Sequence, residues 1–373
     1  MSVMDRQVII DLDAIRGNVS ALCERVRGSQ VMAVVKADGY GHGMVPAARA
    51  ALAGGASWLG TADPDEALAL RRAGLTAPVL CLMAIGEPAE AIRHGIDVTA
   101  GSASFVARVA DAARRGDVPA RLHLEADTRL NRGGATPADW PELVDAALAA
   151  QASGLLQVVG LWSHFACADL PGHPSVRAQL TVFADAVACA EKAGLRPEIK
   201  HIANTAAALT VPESRLDLVR FGGAVYGLST LRGGAPPWLR PAMTLSARLA
   251  LVKRVPPGSG ISYGHRYITD RETTLGLVPL GYADGVPRGA TGLPLVTARG
   301  RRWPIAGTVC MDQFVIDFGD EPVAAGEEVV LFGPGDDGEA TAQEWGEALG
   351  TISYDIVTGI GARVPRTSPG GPA

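Results

Sequence analysis

Over its first two-thirds this chain alternates eight short apolar, β-prone runs with helical stretches. The runs are VMAVVK (31–36), SWLGTA (57–62), PVLCLM (78–83), DVTAG (97–101), ARLHLEAD (120–127), LQVVGLWSH (156–164), EIKHIAN (198–204) and DLVRFGG (217–223). Helical spacing of apolar residues fills most of the gaps, as in PDEALALRRAGL and PELVDAALAAQASGL. This alternation restricts the fold more than any other feature. A strand that returns through a helix lies parallel to its predecessor, and eight such units close into a (β/α)8 barrel of TIM type. An open, doubly wound sheet is the second architecture with this pattern.

The pattern changes at GGAPPWLRP (233–241), where three prolines and two glycines mark a boundary. Beyond it lie MTLSARLALVKRV, TTLGLVPLGY, PLVTARGRRWPIAGTV, QFVIDF and EEVVLFG, strand-like runs parted by turn residues. One helical stretch, ATAQEWGEALG, and the segment ISYDIVTGIG follow. A barrel is therefore expected over 9–236 and a mainly β domain over 237–373, with residues 1–8 able to add a strand to the second. The 373 residues suit two domains.

Composition removes several functions. Charged residues make up 20% and hydrophobic ones 47%, the balance of a folded soluble chain. A net charge of −5 without a basic run argues against nucleic acid and anionic membrane as partners. Residues 146–163 lack charge, but Gln151, Ser153, Gly154 and Gln157 divide them into helix end, loop and strand, not a membrane span. The opening MSVMDRQVIID has no apolar signal core, so a cytoplasmic location is expected. Cys23, Cys81, Cys167, Cys189 and Cys310 are scattered without CxxC spacing, which argues against a disulfide framework and a zinc site. The tail TSPGGPA is expected to be disordered.

Polar residues gather at the ends of the runs. Lys36 ends the first; Glu125 and Asp127 end the fifth, with Arg132 just beyond. His164 ends the sixth, Asn204 and Thr205 the seventh, and Arg220 the eighth, followed by Gly222 and Gly223. Singly, each suits a strand end that meets solvent, and Gly222-Gly223 suits a tight turn. A barrel brings all of them to one rim, where barrel enzymes keep their chemistry. Bare backbone N–H groups and a hydroxyl in the last loops can bind phosphate. With a lysine opposite, they suggest pyridoxal phosphate on a Schiff-base lysine. A sugar-phosphate enzyme would fit the same facts.

Taken in order, AVVKADGYGHG, GLWSHFACAD, HIANTAA, RFGGAVYG, ISYGHRY, LGYADGVPR, GTVCMDQFVID and ARVPR resemble the alanine racemase family. The resemblance covers nearly the whole chain. It implies an N-terminal barrel, a C-terminal β domain and a head-to-tail homodimer with shared active sites. It also implies pyridoxal 5'-phosphate carried by Lys36 as an internal aldimine. Tyr40, Thr205, Gly222, Gly223 and Tyr354 resemble the phosphate contacts, with Asn204 and His164 beside the cofactor and Arg220 facing the pyridine nitrogen. Tyr263 resembles a second catalytic base supplied by the other subunit. Arg132 and the backbone at Met311 resemble the substrate-carboxylate site, Asp312 a neighbour of Tyr263, and Tyr282 part of the entry. D-alanine for peptidoglycan is the implied product. A racemase for serine or a broader amino-acid set, a decarboxylase of the same architecture and a non-enzymatic cofactor carrier are the other members of the comparison.

Racemisation removes a proton from one face of a carbon and returns one to the other, so two groups on opposite faces serve it most simply. Free lysine and tyrosine titrate near pH 10, too high for efficient bases at neutrality. Neighbouring cations lower both, and Arg220 and His164 are the candidates. An arginine at the pyridine nitrogen donates without giving up its proton, which leaves the ring a weaker electron sink.

One stretch departs from the family. LEADTRLNRGG has Glu125 where a lysine, often carbamylated, is usual, and Arg129 where a glycine is usual. Alternation puts His123, Glu125 and Asp127 on one face, expected to point into the barrel. Glu125 is then a built-in anion near Arg132, or else a partner of Arg129. The tight turn of AVVKADGYGHG is expected to be shaped by His42.

Overall fold

The computed structural model of the chain describes residues 5–83, 85–229, 231 and 234–369. After β1 (Arg6–Ile10) come β2 (Gln30–Val34), β3 (Trp58–Thr61), β4 (Val79–Cys81), β5 (Asp97–Ala100), β6 (Ala120–Glu125), β7 (Leu156–Trp162), β8 (Ile199–His201) and β9 (Leu218–Phe221). These eight strands, β2 to β9, lie side by side in the order β8-β7-β6-β5-β4-β3-β2-β9 and pair in parallel. Because β9 returns to β2, the sheet curls into a barrel and the open-sheet alternative falls. The seam between β8 and β9 is bridged by backbone bonds from Asp217 N to Lys200 O (3.2 Å) and from Arg220 N to Ala203 O (3.0 Å).

Strand alternation separates two cores. Met32, Val34, Trp58, Leu80, Val159, Ile199 and Leu218 pack inside the barrel. Val31, Ala33, Val35, Leu59, Leu122, Leu124, Val219 and Phe221 face the surrounding helices. The helices begin where caps allow. Asp63 accepts from Glu66 N at the start of Pro64–Arg72, and Ser102 accepts from Phe105 N at the start of Ala103–Gly116. Each such cap contributes about 1 kcal/mol. The uncharged stretch at 146–163 divides between the helix Trp140–Ala152 and β7. Among the described residues, no helix is long and apolar enough to cross a membrane.

The expected boundary at 233–241 lies partly outside the described residues, as does the tail from 370 on. Where described, this crossing is pinned. Buried Asn18 donates to Arg240 O and accepts from Arg240 N, both at 2.8 Å. A Cβ on Gly227 would collide with Arg240 O.

Past the crossing come β10 (Met243–Arg248), β11 (Leu251–Val255), β12 (Gly260–Ile261), β13 (Tyr267–Ile268), β14 (Thr273–Val278), β15 (Val296–Ala298), β16 (Arg301–Trp303), β17 (Ile305–Ala306), β18 (Phe314–Gly319), β19 (Glu328–Phe332) and β20 (Arg366–Thr367). They form a six-stranded sheet, β16-β15-β19-β10-β1-β20, a four-stranded sheet, β11-β14-β18-β17, and the ribbon β12-β13. The N-terminal β1 lies antiparallel to β10, with Val8 opposite Leu245, so the first strand belongs to this β region and not to the barrel. The helix Ala342–Leu349 starts on a capping box of Thr341 and Glu344.

Candidate active site

Directly after β2 and Val35 the chain turns left-handed. Ala37, Asp38, Gly39, Tyr40 and Gly41 have φ of 53°, 52°, 63°, 53° and 80°. Left-handed geometry costs roughly 1–2 kcal/mol for each residue with a Cβ, so the turn persists only because its surroundings hold it. Ala37 N donates to Glu66 Oε1 (2.6 Å), and Met44 N donates to Asp38 Oδ1 (2.8 Å). Arg366 Nε donates to Gly41 O (2.8 Å). His42 Nδ1 donates to Gly39 O (3.0 Å) and Tyr40 O (2.9 Å), so this imidazole does shape the turn. Burial pushes its pKa down to about 4, which keeps it neutral. The turn aims Lys36 and Tyr40 into one cavity.

That cavity, 950 Å³ at the C-terminal ends of the strands, brings together eleven of the residues singled out in the sequence. They are Lys36, Glu125, Arg132, His164 and Arg220, together with Tyr40, Asn204, Thr205, Gly222, Gly223 and Tyr354. A Cβ on Gly222 would meet the Tyr40 hydroxyl, and one on Gly223 would enter the Tyr354 ring. The two phenols therefore close over a bare glycine pair, with Thr205 and Asn204 beside it. Asn204 accepts from Ala207 N and caps Thr205–Thr210. Burial and Tyr354 push the Tyr40 phenol well above its usual range, so it stays a neutral donor.

The charges differ in part from expectation. Lys36 opens onto the cavity, yet protein surrounds much of it. Burial and then Arg132 lower its pKa, against an upward pull from Glu66. The neighbouring cation is thus Arg132, not Arg220. His164 is no cation at all: burial, then Arg220, Arg132 and Lys36, push it down to about 3. Its Nδ1 accepts from Arg220 Nη2 (3.1 Å). Arg220 also donates to Ser163 O (2.8 Å) and Ile202 O (3.2 Å). Burial lowers its pKa to about 9, with Glu125 pulling up and Arg132 down, which leaves it charged at neutrality.

The divergent loop follows a different logic. His123 and Glu125 do face into the barrel, but Asp127 does not line the cavity. Its Oδ1 accepts from Arg129 N (2.9 Å) and Asn131 N (3.0 Å), so it folds the loop that leads to Arg132. Arg129 keeps a left-handed backbone, φ 82°, that glycine would adopt without cost. Among the described residues, Glu125 makes no ion pair, neither with Arg132 nor with Arg129. Gly133 sits against its carboxylate, where a Cβ would lie 3.1 Å from Oε2. Burial raises its pKa to about 7, against the pull of Arg220 and Arg132 and with a further push from Asp127.

Tyr263, Tyr282, Met311 and Asp312 are not among the residues lining this cavity. They form a separate platform on the β region. Thr308 Oγ1 donates to Tyr263 O (2.9 Å), and Ser262 Oγ donates to Thr308 O (2.6 Å). Tyr282 N donates to Cys310 O (3.0 Å), and Ala283 N to Met311 O (2.9 Å). Asp312 pairs with Arg363 at 2.7 Å. Tyr263 is 72% exposed and Met311 52%.

Glu66 escaped the sequence reading. It sits in the first turn of an ordinary helix, and nothing local signals that its carboxylate reaches the residue after Lys36. Asp169, Gln343 and Ile352 also line the cavity without a recognisable motif.

Comparison with known proteins agrees along the whole chain. The family model "Alanine racemase, N-terminal domain" matches residues 10–230, and "Alanine racemase, C-terminal domain" matches 242–368. An alanine racemase of Thermobifida fusca is 61% identical over 363 residues, covering 97% of each chain. The crystal structure of alanine racemase from D-cycloserine producing Streptomyces lavendulae superposes with a TM-score of 0.95 at 52% identity, covering 100% of this chain and 99% of that one. Alanine racemase from Streptomyces coelicolor A3(2) superposes with a TM-score of 0.96 at 55% identity, covering 99% of both. With the fold and both domain models in agreement, the chain belongs to the alanine racemase family of isomerases.

Proposed function

We propose that the enzyme interconverts L-alanine and D-alanine with pyridoxal 5'-phosphate held in the barrel cavity, using two bases from two subunits. The observation that carries this is the one cavity that joins Lys36 to the bare Gly222-Gly223 pair under the Tyr40 and Tyr354 hydroxyls. A phosphate needs donors and space without a Cβ, and the pair offers both. Lys36 would hold the cofactor covalently, while Tyr40, Asn204, Thr205, Gly222, Gly223 and Tyr354 would hold its phosphate end. His164 and Arg220 would flank its ring. When bound, the cofactor supplies an electron sink that acidifies the α-hydrogen of a linked amino acid.

The chain's own groups supply the rest. Arg132, at the cavity wall, binds the substrate carboxylate with help from the backbone of the partner subunit's Met311. Lys36 Nζ moves a proton on one face, and its lowered pKa raises the share of free amine near neutrality. The partner subunit's Tyr263 moves a proton on the other face, with Tyr282 beside the entry and Asp312 supporting the platform. The exposure of Tyr263 in a single chain supports a head-to-tail homodimer in which the platform completes the partner's cavity. Glu125 carries charge above about pH 7 and there acts as an anion that steadies Arg132. Domain limits of 9–236 and 237–373, with the first strand through Ile10 joining the second, a cytoplasmic location and supply of D-alanine for peptidoglycan belong to the same proposal.

Incubation of purified protein with L-alanine, L-serine and L-lysine tests it. D-alanine as the dominant D-enantiomer is the expected result. Dominant D-serine would favour a broader racemase, released carbon dioxide a decarboxylase, and a bound cofactor without turnover a carrier.

A further inference from the structure

Behind Arg220, the barrel interior holds a line of polar side chains to which the function proposed above gives no role. Asp97 begins β5, His123 lies on β6, His201 on β8 and Arg220 on β9. The two imidazoles are fully buried and Asp97 is 2% exposed. Arg220 Nη1 meets His201 Nδ1 at 2.9 Å, and His201 Nε2 meets His123 Nδ1 at 3.1 Å. His123 Nε2 meets Asp97 Oδ2 at 3.3 Å, and Arg121 Nε donates to Asp97 Oδ1 at 2.8 Å.

The ends of this line force every proton in it. A guanidinium has donors only, so His201 Nδ1 must accept and its proton must sit on Nε2. His201 Nε2 then donates, so His123 Nδ1 accepts and its proton also sits on Nε2. That proton points at Asp97, which can accept it. Reversing either ring would set two N–H groups against each other in a buried space. Burial, Arg220 and His123 hold the His201 pKa well below its ordinary value, in keeping with a neutral ring.

The line is also built into its surroundings. A Cβ on Gly160 would collide with the His123 ring, so β7 leaves room for it. Trp162 lies parallel to His201, with centroids 5.8 Å apart, and the Arg220 guanidinium lies 4.9 Å from the Trp162 ring centroid.

We propose that Asp97, anchored by Arg121, is a positioning residue: through His123 and His201 it sets the direction of hydrogen bonding that holds Arg220 against the cavity. Its catalytic consequence rests on the role given above to Arg220; the proton positions do not. Asn at 97 has one acceptor for two donors. If that acceptor goes to Arg121, the amide N–H₂ faces His123 and reverses the line.

Long-range ¹⁵N–¹H spectra of the histidine rings test this in the protein with and without cofactor. Both His123 and His201 should be Nε2–H tautomers near neutral pH; an Nδ1–H tautomer on either ring overturns the proposal. Asp97→Asn should change the His201 signals and lower kcat for L-alanine about tenfold with KM within about twofold. Adding Arg121→Met frees the acceptor for His123 and should recover most of that loss. Unchanged His201 signals in a folded Asp97→Asn protein also overturn it. If that variant fails to fold, Arg121→Met alone decides: loss of the Asp97 anchor should shift the His123 and His201 ring signals, and unchanged signals overturn the proposal. If the protein fails to racemise alanine, the spectra still read the line, so the two failures are separable.

Discussion

The barrel rim and the β platform solve opposite problems. At the rim, Lys36 and Tyr40 are held by a strained left-handed turn and enclosed by Arg132, His164, Arg220 and Tyr354. On the platform, the loops bearing Tyr263 and Met311 are cross-braced through Thr308, Ser262, Tyr282 and Ala283, yet their side chains stand in solvent. Tyr40 is a neutral phenol locked by burial; Tyr263 is 72% exposed on a braced backbone. A rim can bind by itself. We propose that the braced platform serves the partner's rim, where it supplies the second base.

The largest expected effect short of removing a base is at the glycine pair. Gly223→Ala puts a Cβ into the Tyr354 ring. Cofactor affinity should fall at least about tenfold, roughly 1.4 kcal/mol, in an absorbance titration. An equally strong affinity would break the contrast between a rim that binds and a platform that does not.

A second effect concerns pH. The Glu125 carboxyl is raised from 4.5 to about 7 in the folded chain, so between those values the native state holds more protons than the unfolded one. Stability from this group is full below about pH 4.5 and is lost as pH rises through 7, about 3 kcal/mol in all. Thermal unfolding should show wild type losing Tm relative to Glu125→Gln between about pH 5 and 8; parallel profiles would refute it. The same substitution should raise KM for L-alanine above about pH 7 and leave it unchanged below, where the wild-type carboxyl is also neutral.

The smallest effect is at the divergent turn. Arg129→Gly relieves a left-handed φ of 82° but frees the unfolded chain, for a net gain of about 0.5–1 kcal/mol in denaturant unfolding. A loss of stability would show that the Arg129 side chain has a supporting role.

The strands were legible because alternation is a local signal: each of the eight runs became a barrel strand, and inward residues such as Met32 and outward ones such as Val31 follow period two. Lys36, Arg220 and the glycine pair were legible because strand ends converge in a barrel. What escaped was through-space chemistry. His164 looked like a cation because a histidine at a strand end carries no sign of Arg220 beside it. Asp127 looked like a site residue because alternation cannot tell a carboxylate aimed at a cavity from one that folds back on its own loop. Asp312 is held by Arg363, fifty-one residues on, a pairing that nothing local in the sequence signals. Asp97 and Glu66 act across strands and helices that only the closed fold brings together.

The central claim is that one chain's rim works with the other chain's platform. It is tested by mixing Lys36→Ala with Tyr263→Phe protein, each of which should lose about 10²–10⁴-fold or more in activity alone. Random exchange makes half the dimers mixed, each with one intact site of two, so roughly a quarter of wild-type activity should return. No recovery, with subunit exchange confirmed by mass-tagged chains, would contradict a shared site.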